Sequence, residues 1–166
     1  MNAQSNSLER AFTSSGIPYR VIERFYDRKE IRDIVAYLSV LNNDRDMLRF
    51  KRIINEPKRG IGDTTVSMIE QMSSDLGISP IEVMKNSESY PLLSKKTAQL
   101  VKTADMFIEL KNIAETKPLD EMLDILLDKT GYAAYMKSLG DEGIARMENI
   151  NELKSTMVEY MNGKAE

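Results

Sequence analysis

A chain of 166 residues, of which 42% are hydrophobic and 30% charged, is long enough to bury one hydrophobic core. It contains no cysteine and no histidine, which excludes disulfides, thiolate nucleophiles, imidazole bases and the usual zinc sites. No apolar run approaches the roughly 20 residues of a membrane span and no secretory signal opens the sequence, so we expect a cytoplasmic protein with no membrane partner.

The formal net charge of −3 argues against a protein that coats nucleic acid, but the charge is unevenly distributed. Residues 1–60 contain 12 Lys and Arg against 8 Asp and Glu, whereas residues 61–166 contain 11 against 18. The densest basic segment covers residues 45–59, with six Lys and Arg against two acidic residues. Such a run is either a solvated helix face or a local contact for phosphate groups.

The N-terminal part predicts a helix followed by a strand. Ser5 or Ser7 can cap the helix, and Gly16 is placed to end it. Residues 17–22 then read as a short strand, the only one in the chain. Because a lone strand cannot satisfy its own backbone, this helix and strand are interpreted as a piece of an α/β domain whose other strands lie elsewhere.

Two helices are predicted next. Asp27 and Glu30 are spaced like a capping box and predict the start of the first one. After a break at residues 42–44, the second is predicted over residues 46–55, with its apolar side chains inward, its arginines outward and Pro57 as its stop. The first helix has apolar residues at helical spacing that predict a buried face: Ile31, Ile34, Val35, Leu38 and Leu41.

A glycine-containing stretch follows at residues 53–65. Gly60 and Gly62 can adopt backbone angles closed to other residues and allow another molecule to approach the main chain. Ile61 between them has an apolar side chain to bury. This pattern predicts a tight hairpin anchored at Ile61, and the alternative is a plain helix–helix turn, because glycine marks turns.

The predicted hairpin adjoins features typical of an anion site. Asp63, Thr64 or Thr65 is predicted to cap a helix that begins near residue 66, so that the first amides of that helix point outward. Lys58 and Arg59 add positive charge beside this helix end. The combination indicates a site for phosphate groups.

The remainder of the chain reads as a series of helices. Gly77 is predicted to end the helix after the hairpin, and Ser79 followed by Pro80 to begin a short one. Further helices are predicted over residues 94–116, 118–131, 132–139 and from 144 onward. The eleven methionines fall on the apolar stripes and are interpreted as packing residues. The predicted fold is mainly α, with the N-terminal helix–strand piece as its α/β element.

Five blocks of the sequence together resemble the UvrD/PcrA/Rep-like superfamily 1 DNA helicases. They lie at residues 2–5, 16–21, 25–38, 53–65 and 146–153, so that nearly the whole chain is covered. The resemblance implies a fragment of the RecA-like motor domain 2A at residues 1–24. It also implies a helical 2B-like subdomain, with a helix-hairpin-helix-like element, at residues 25–166.

In that family the glycine hairpin of 2B contacts the phosphates of duplex DNA, and 2B swivels on the motor to regulate unwinding. The resemblance therefore implies a duplex-DNA-backbone-binding regulatory subdomain of a bacterial-type, ATP-dependent helicase that acts in DNA repair or replication. Its implied partners are the backbone of double-stranded DNA and the helicase's own motor domains. The residues assigned to DNA binding are Arg52, Lys58, Arg59, Gly60, Ile61, Gly62, Thr64 and Thr65.

Nucleotide-binding motifs are missing from the sequence. There is no Gly-x-x-x-x-Gly-Lys-Ser/Thr loop and no apolar strand ending in paired carboxylates. We therefore expect no catalytic, cofactor-binding or metal-binding residue here, and expect ATP and Mg in the motor of the parent helicase, which would be the hydrolase. The alternative function is a helical scaffold that docks a partner protein without binding DNA.

Overall fold

A computed structural model describes residues 19–163, and over that range the chain forms nine α-helices and no strand. The prediction of a mainly helical protein is confirmed. Within this range no helix is both long and apolar enough to cross a membrane. Short 3-10 helices lie at Glu23–Phe25, Ser87–Ser89 and Ser94–Lys96. The α-helices are α1 Tyr19–Ile22, α2 Lys29–Asn42, α3 Met47–Ile53, α4 Asp63–Leu76, α5 Pro80–Lys85, α6 Thr97–Ala114, α7 Leu119–Lys129, α8 Tyr132–Ser138 and α9 Asp141–Met161.

The predicted strand is wrong where the structure describes it, because α1 is a helical turn that runs directly into Glu23–Phe25. Val21, Ile22 and Phe25 are all buried. Their spacing places them on one side of a helix, whereas a strand would turn residues 21 and 22 to opposite faces. The first predicted helix and residues 17 and 18 lie outside the described residues.

Helix α2 is the centre of the core and packs against α3, α6 and α9. The predicted capping box is wrong, because the helix begins at Lys29 and no side chain caps it. Glu30 is buried instead and accepts a hydrogen bond of 2.7 Å from Nδ2 of Asn149 in α9. The apolar face is confirmed at four of the five predicted positions, with Leu38 half-buried: Ile31, Ile34, Val35 and Leu41.

Helix α3 is shorter than predicted and ends at Ile53, four residues before Pro57. It begins after Asp46, whose carboxylate accepts a hydrogen bond of 3.2 Å from the backbone amide of Arg49. The prediction that the arginines of this helix point outward is wrong for Arg49. Its side chain is only 6% exposed and forms an ion pair of 3.2 Å with Asp46.

Helices α4 and α5 follow the predicted order, with one boundary changed. Gly77 ends α4 with φ +67°, and Ser79 caps α5 by accepting a hydrogen bond of 3.1 Å from the amide of Glu82, so both signals are confirmed. The start of α4 is Asp63 rather than residue 66. Leu76, the last residue of α4, is 51% exposed.

The helices α6 to α9 complete the body. Helix α6 packs against α5 and α7, while α9 packs against α8, α7 and α2. Ile108 in α6 and Ile144 in α9 are exposed. The interpretation of methionines as packing residues is supported on these helices by three that are fully buried: Met122, Met136 and Met157.

Candidate nucleic-acid interface

Residues 54–62, hereafter the 54–62 loop, connect α3 to α4. Ile61 is 2% exposed and packs in the core, as the sequence predicts. Gly60 and Gly62 on either side of it are exposed. Gly60 has φ +71°, a left-handed conformation that favours glycine. The loop is therefore anchored at its apolar residue, and its two glycines face outward.

Asn55 shapes the loop from within. Its Oδ1 accepts hydrogen bonds of 3.2 Å from the backbone amides of Arg59 and Ile61. Its Nδ2 donates to the carbonyl oxygen of Ile61. One amide side chain thus satisfies three main-chain groups in a segment that lacks helical hydrogen bonds, which fixes the curvature around Gly60.

The side chain of Arg59 points into the protein. Its Nη1 donates to the carbonyl oxygens of Ile53 at 2.8 Å and Ile54 at 3.0 Å, where α3 ends. Its Nη2 donates at 3.0 Å to the carbonyl oxygen of Thr130, at the end of α7. Because helix C-termini carry partial negative charge, this half-buried guanidinium stabilises two of them while holding the loop in place. Its predicted contact with phosphate remains untested.

Tyr37 in α2 completes the support of Arg59. The Tyr37 hydroxyl accepts a hydrogen bond of 2.5 Å from Arg59 Nη2 and donates one of 2.8 Å to the carbonyl oxygen of Glu56. Burial raises the pKa of Tyr37 to about 12, although the adjacent Arg59 opposes the shift. The phenol is therefore neutral at pH 7 and remains available as a hydrogen-bond donor.

Arg52 belongs to a charge network centred on Asp33, whose side chain is 1% exposed. Oδ1 of Asp33 lies 3.0 Å from Arg52 Nε. Its Oδ2 lies 2.8 Å from Lys29 Nζ and also accepts a hydrogen bond of 2.8 Å from the Tyr132 hydroxyl. Burial lowers the pKa of Lys29, but its hydrogen bonds with Asp33 and Glu56 outweigh that effect and raise it. The charge of Arg52 is thus partly balanced within the protein.

Lys58 and the start of α4 are the open part of this region. Lys58 is exposed and has no acidic partner among residues 19–163. The prediction that Asp63, Thr64 or Thr65 caps α4 is wrong, because Gly62 occupies the N-cap and no side chain caps the helix. Within residues 19–163 the amides of these three residues have no hydrogen-bond partner, so they remain available to an anion. Asp63 places one exposed carboxylate beside them.

Gln99 in α6 is a further neighbour of the loop that the sequence did not reveal. Its Nε2 donates to the carbonyl oxygen of Arg59. The same atom lies 2.6 Å from the position that a Cβ at Gly60 would take. Gln99 lies 40 residues from Arg59 in the chain and no local motif connects them, whereas Asn55, only six residues before Ile61, fits a recognisable side-chain-to-backbone turn.

Among residues 19–163 no group of three or more Asp and Glu side chains is arranged to hold a metal ion. Near the loop, Asp33 and Glu56 are engaged with cations or a hydroxyl group, whereas Asp63 is exposed. What the site offers to a ligand is therefore exposed main chain, free amides, hydroxyl groups and the ammonium of Lys58, a set suited to binding the oxygens of phosphate groups.

Comparison with known proteins adds an independent finding. The family model described as "UvrD-like helicase C-terminal domain" matches residues 1–166. The chain is 36% identical over 165 residues to ATP-dependent DNA helicase UvrD1 of Mycobacterium tuberculosis, covering 96% of this chain and 21% of the relative. It is 35% identical over 162 residues to ATP-dependent DNA helicase PcrA of Staphylococcus epidermidis, covering 96% and 22%. The chain thus spans about a fifth of the length of these relatives.

Proposed function

The chain belongs to the UvrD-like helicase C-terminal domain family, and we propose that it binds the backbone of duplex DNA as a regulatory, non-catalytic part of an ATP-dependent DNA helicase. The observation that carries this proposal is the 54–62 loop, in which the buried Ile61 holds Gly60 and Gly62 at the surface beside the exposed Lys58. In this proposal residues 25–166 are the 2B-like subdomain and residues 1–24 belong to motor domain 2A. ATP and Mg act in the motor.

The proposed contact uses a helix-hairpin-helix-like arrangement of α3, the 54–62 loop and α4. The two exposed glycines allow a DNA strand to approach the main chain closely. The amides of residues 63–65 and the hydroxyls of Thr64 and Thr65 donate to phosphate oxygens, and Lys58 supplies positive charge. Only about two to four phosphates are neutralised, so binding is sequence-independent, of modest affinity and shallow in its salt dependence.

Arg52 and Arg59 have a different part in this proposal. Arg59 fixes the loop through the ends of α3 and α7, and Arg52 pairs with Asp33 at the base of the same region. Both are therefore proposed as positioning residues for the DNA contact. The side chains that meet phosphate directly are those of Lys58, Thr64 and Thr65.

The test compares Lys58→Gln with Lys137→Gln, another exposed lysine without an acidic partner in the described part of the chain. A short labelled duplex is titrated with each protein across a series of salt concentrations. We expect Lys58→Gln to bind more weakly and the slope of log K against log salt to fall by about 0.9, the value for one lost phosphate contact. Equal slopes and equal binding for the two variants would remove Lys58 from the interface, and absence of duplex binding by the unmodified chain would contradict the proposed function.

A protein-docking scaffold is the second candidate, favoured by the exposure of Leu92, Ile108 and Ile144 on the surface. In that case the apolar side chains contact a partner, such as the helicase's own motor domains, and the chain has no affinity for duplex near physiological salt. The same titration with the unmodified chain separates the two functions.

A further inference from the structure

The segment that leads into α6 is basic, although it lies in the acidic part of the chain. Residues 89–104 contain three lysines and no Asp or Glu. All three lysines are exposed, and none of them has an ion-pair partner among residues 19–163. We call Lys95, Lys96 and Lys102 the α6 lysine ridge.

Two contacts hold the first half of α6 beside the 54–62 loop. Gln99 Nε2 donates to the carbonyl oxygen of Arg59, and Met106 Sδ lies 3.8 Å from Arg59 Nη2. Lys102 lies one turn after Gln99 on α6, and Lys96 ends the 3-10 helix that leads directly into α6, three residues before Gln99. The ridge is therefore adjacent to the surface that carries Gly60.

The spacing of the ridge fits a nucleic-acid strand. Six residues along a helix from Lys96 to Lys102 span about 9 Å. Successive phosphates of one DNA strand rise by about 3.4 Å along the axis and lie farther apart through space because the strand winds, so the two ammonium groups can meet neighbouring phosphates of one strand. Long lysine side chains adjust to such a spacing without a fixed geometry.

The acidic residues of α6 do not cancel this charge. Asp105 is paired with Lys85 at 2.6 Å, and Glu109 with Lys129 at 2.7 Å. Lys58 is exposed and precedes Arg59, whose carbonyl oxygen accepts the hydrogen bond from Gln99 in the first turn of α6. Asp63 is the exposed acidic residue at the adjacent start of α4.

We propose that the α6 lysine ridge is a second contact for the backbone of the same duplex, which extends the interface from the 54–62 loop along α6. This inference rests on the proposed function, since it requires that the loop contacts duplex DNA. It assigns to Lys96 and Lys102 the neutralisation of about two phosphates beyond those met by the loop.

The experiment uses the 166-residue chain carrying Lys96→Gln and Lys102→Gln. The matched control carries Lys117→Gln and Lys137→Gln, two exposed lysines also without acidic partners in the described residues and placed beyond α6. Binding of a labelled duplex is measured across a salt series for both double variants, for Lys58→Gln and for the unmodified chain. Circular dichroism establishes that each variant is folded.

We expect the ridge variant to bind more weakly and its slope of log K against log salt to fall by about 1.8, while the control keeps the original slope. If the ridge variant matches the control while Lys58→Gln loses affinity, the ridge contact is wrong and the loop contact stands. If no variant differs from the unmodified chain, neither Lys58 nor the ridge contacts the duplex; if that chain does not bind duplex at all, both proposals are contradicted. An equal slope loss with single-stranded DNA of the same length would identify the ridge as a general polyanion contact and overturn its assignment to the duplex.

Discussion

The two glycines of the 54–62 loop are under different constraints. Gly60 has φ +71°, and a side chain there would meet Gln99, so the fold itself favours glycine at this position. Gly62 has φ −67° and ψ 163°, which any residue can adopt, and an added Cβ would have no heavy atom of the described residues within 4 Å. The fold does not require glycine at residue 62. Close approach of a bound strand would require it.

Replacement of Gly62 by alanine separates folding from binding. We expect Gly62→Ala to change the free energy of unfolding by less than about 1 kcal/mol, since alanine is only a poorer N-cap than glycine. The added methyl group would hold a phosphate away from the exposed amides, and we expect the Kd for duplex to rise about tenfold, or about 1.4 kcal/mol. Urea unfolding measures the first effect and duplex titration the second. Ser67→Ala, at an exposed position of α4, is the control. An unchanged Kd would mean that no strand approaches the main chain at residue 62.

Arg59 matters at the scale of the elements because it joins parts of the chain that are distant in sequence. Its guanidinium contacts the end of α3, the end of α7 and Tyr37 in α2. The four acceptors are carbonyl or hydroxyl oxygens that a planar, forked donor reaches simultaneously. Together with the buried Ile61 and the hydrogen bond from Gln99, this side chain fixes the position of the 54–62 loop on the helical body.

We expect Arg59→Lys to lower the free energy of unfolding by about 2 kcal/mol, because a compact ammonium group keeps the charge but lacks the planar fork that forms this set of hydrogen bonds. Arg45→Lys is the control, since Arg45 is exposed. Chemical denaturation measures both variants. Native stability combined with a loss of duplex affinity would instead place the guanidinium of Arg59 on a phosphate.

The sequence predicts these elements well where the signal is local. Apolar spacing identifies α2 and its buried face, Gly77 marks the end of α4, and Ser79 marks the start of α5. The start of α4 is less determined, because three consecutive residues could each have been its cap. The inward direction of Arg59 could not be predicted, since its acceptors on Tyr37 and Thr130 lie 22 and 71 residues away. The sequence pattern of a basic residue beside glycines is the same whether its side chain faces a ligand or the core.

At the scale of the whole molecule, buried hydroxyl groups tie the α2 centre to the loop and to α8. The Tyr37 hydroxyl bonds to Arg59 and Glu56, and the Tyr132 hydroxyl donates to Asp33 across 99 residues of chain. Burial, and then the Asp33 carboxylate, raises the pKa of Tyr132, and burial raises the pKa of Tyr37 to about 12. Both phenols are therefore held neutral by the folded state.

This arrangement predicts a loss of stability at alkaline pH. The pKa of each buried phenol is higher in the folded chain than its usual value of about 10. Its contribution to the free energy of unfolding is therefore complete below pH 10. Above pH 10 that contribution falls, because the phenol ionises in the unfolded chain while it stays neutral in the folded one. Between pH 10 and 12 we expect the free energy of unfolding to fall by about 1.4 kcal/mol per pH unit for each of the two groups. The raised pKa of Lys29 acts in the same direction, because its charged form stabilises the fold and is lost as pH rises.

Urea unfolding measures the free energy of unfolding at pH 8 and at pH 11, and the difference between these two free energies tests the expectation. A general loss of stability in a variant lowers both free energies equally and leaves their difference unchanged. Tyr37→Phe and Tyr132→Phe should each reduce the difference by about 1.4 kcal/mol, because phenylalanine cannot ionise in the unfolded chain. Tyr160→Phe, which leaves both buried hydroxyls intact, should retain the full difference. If all three variants lose the same stability between pH 8 and pH 11 as the unmodified chain, the two buried phenols are not the groups that make the fold sensitive to alkali.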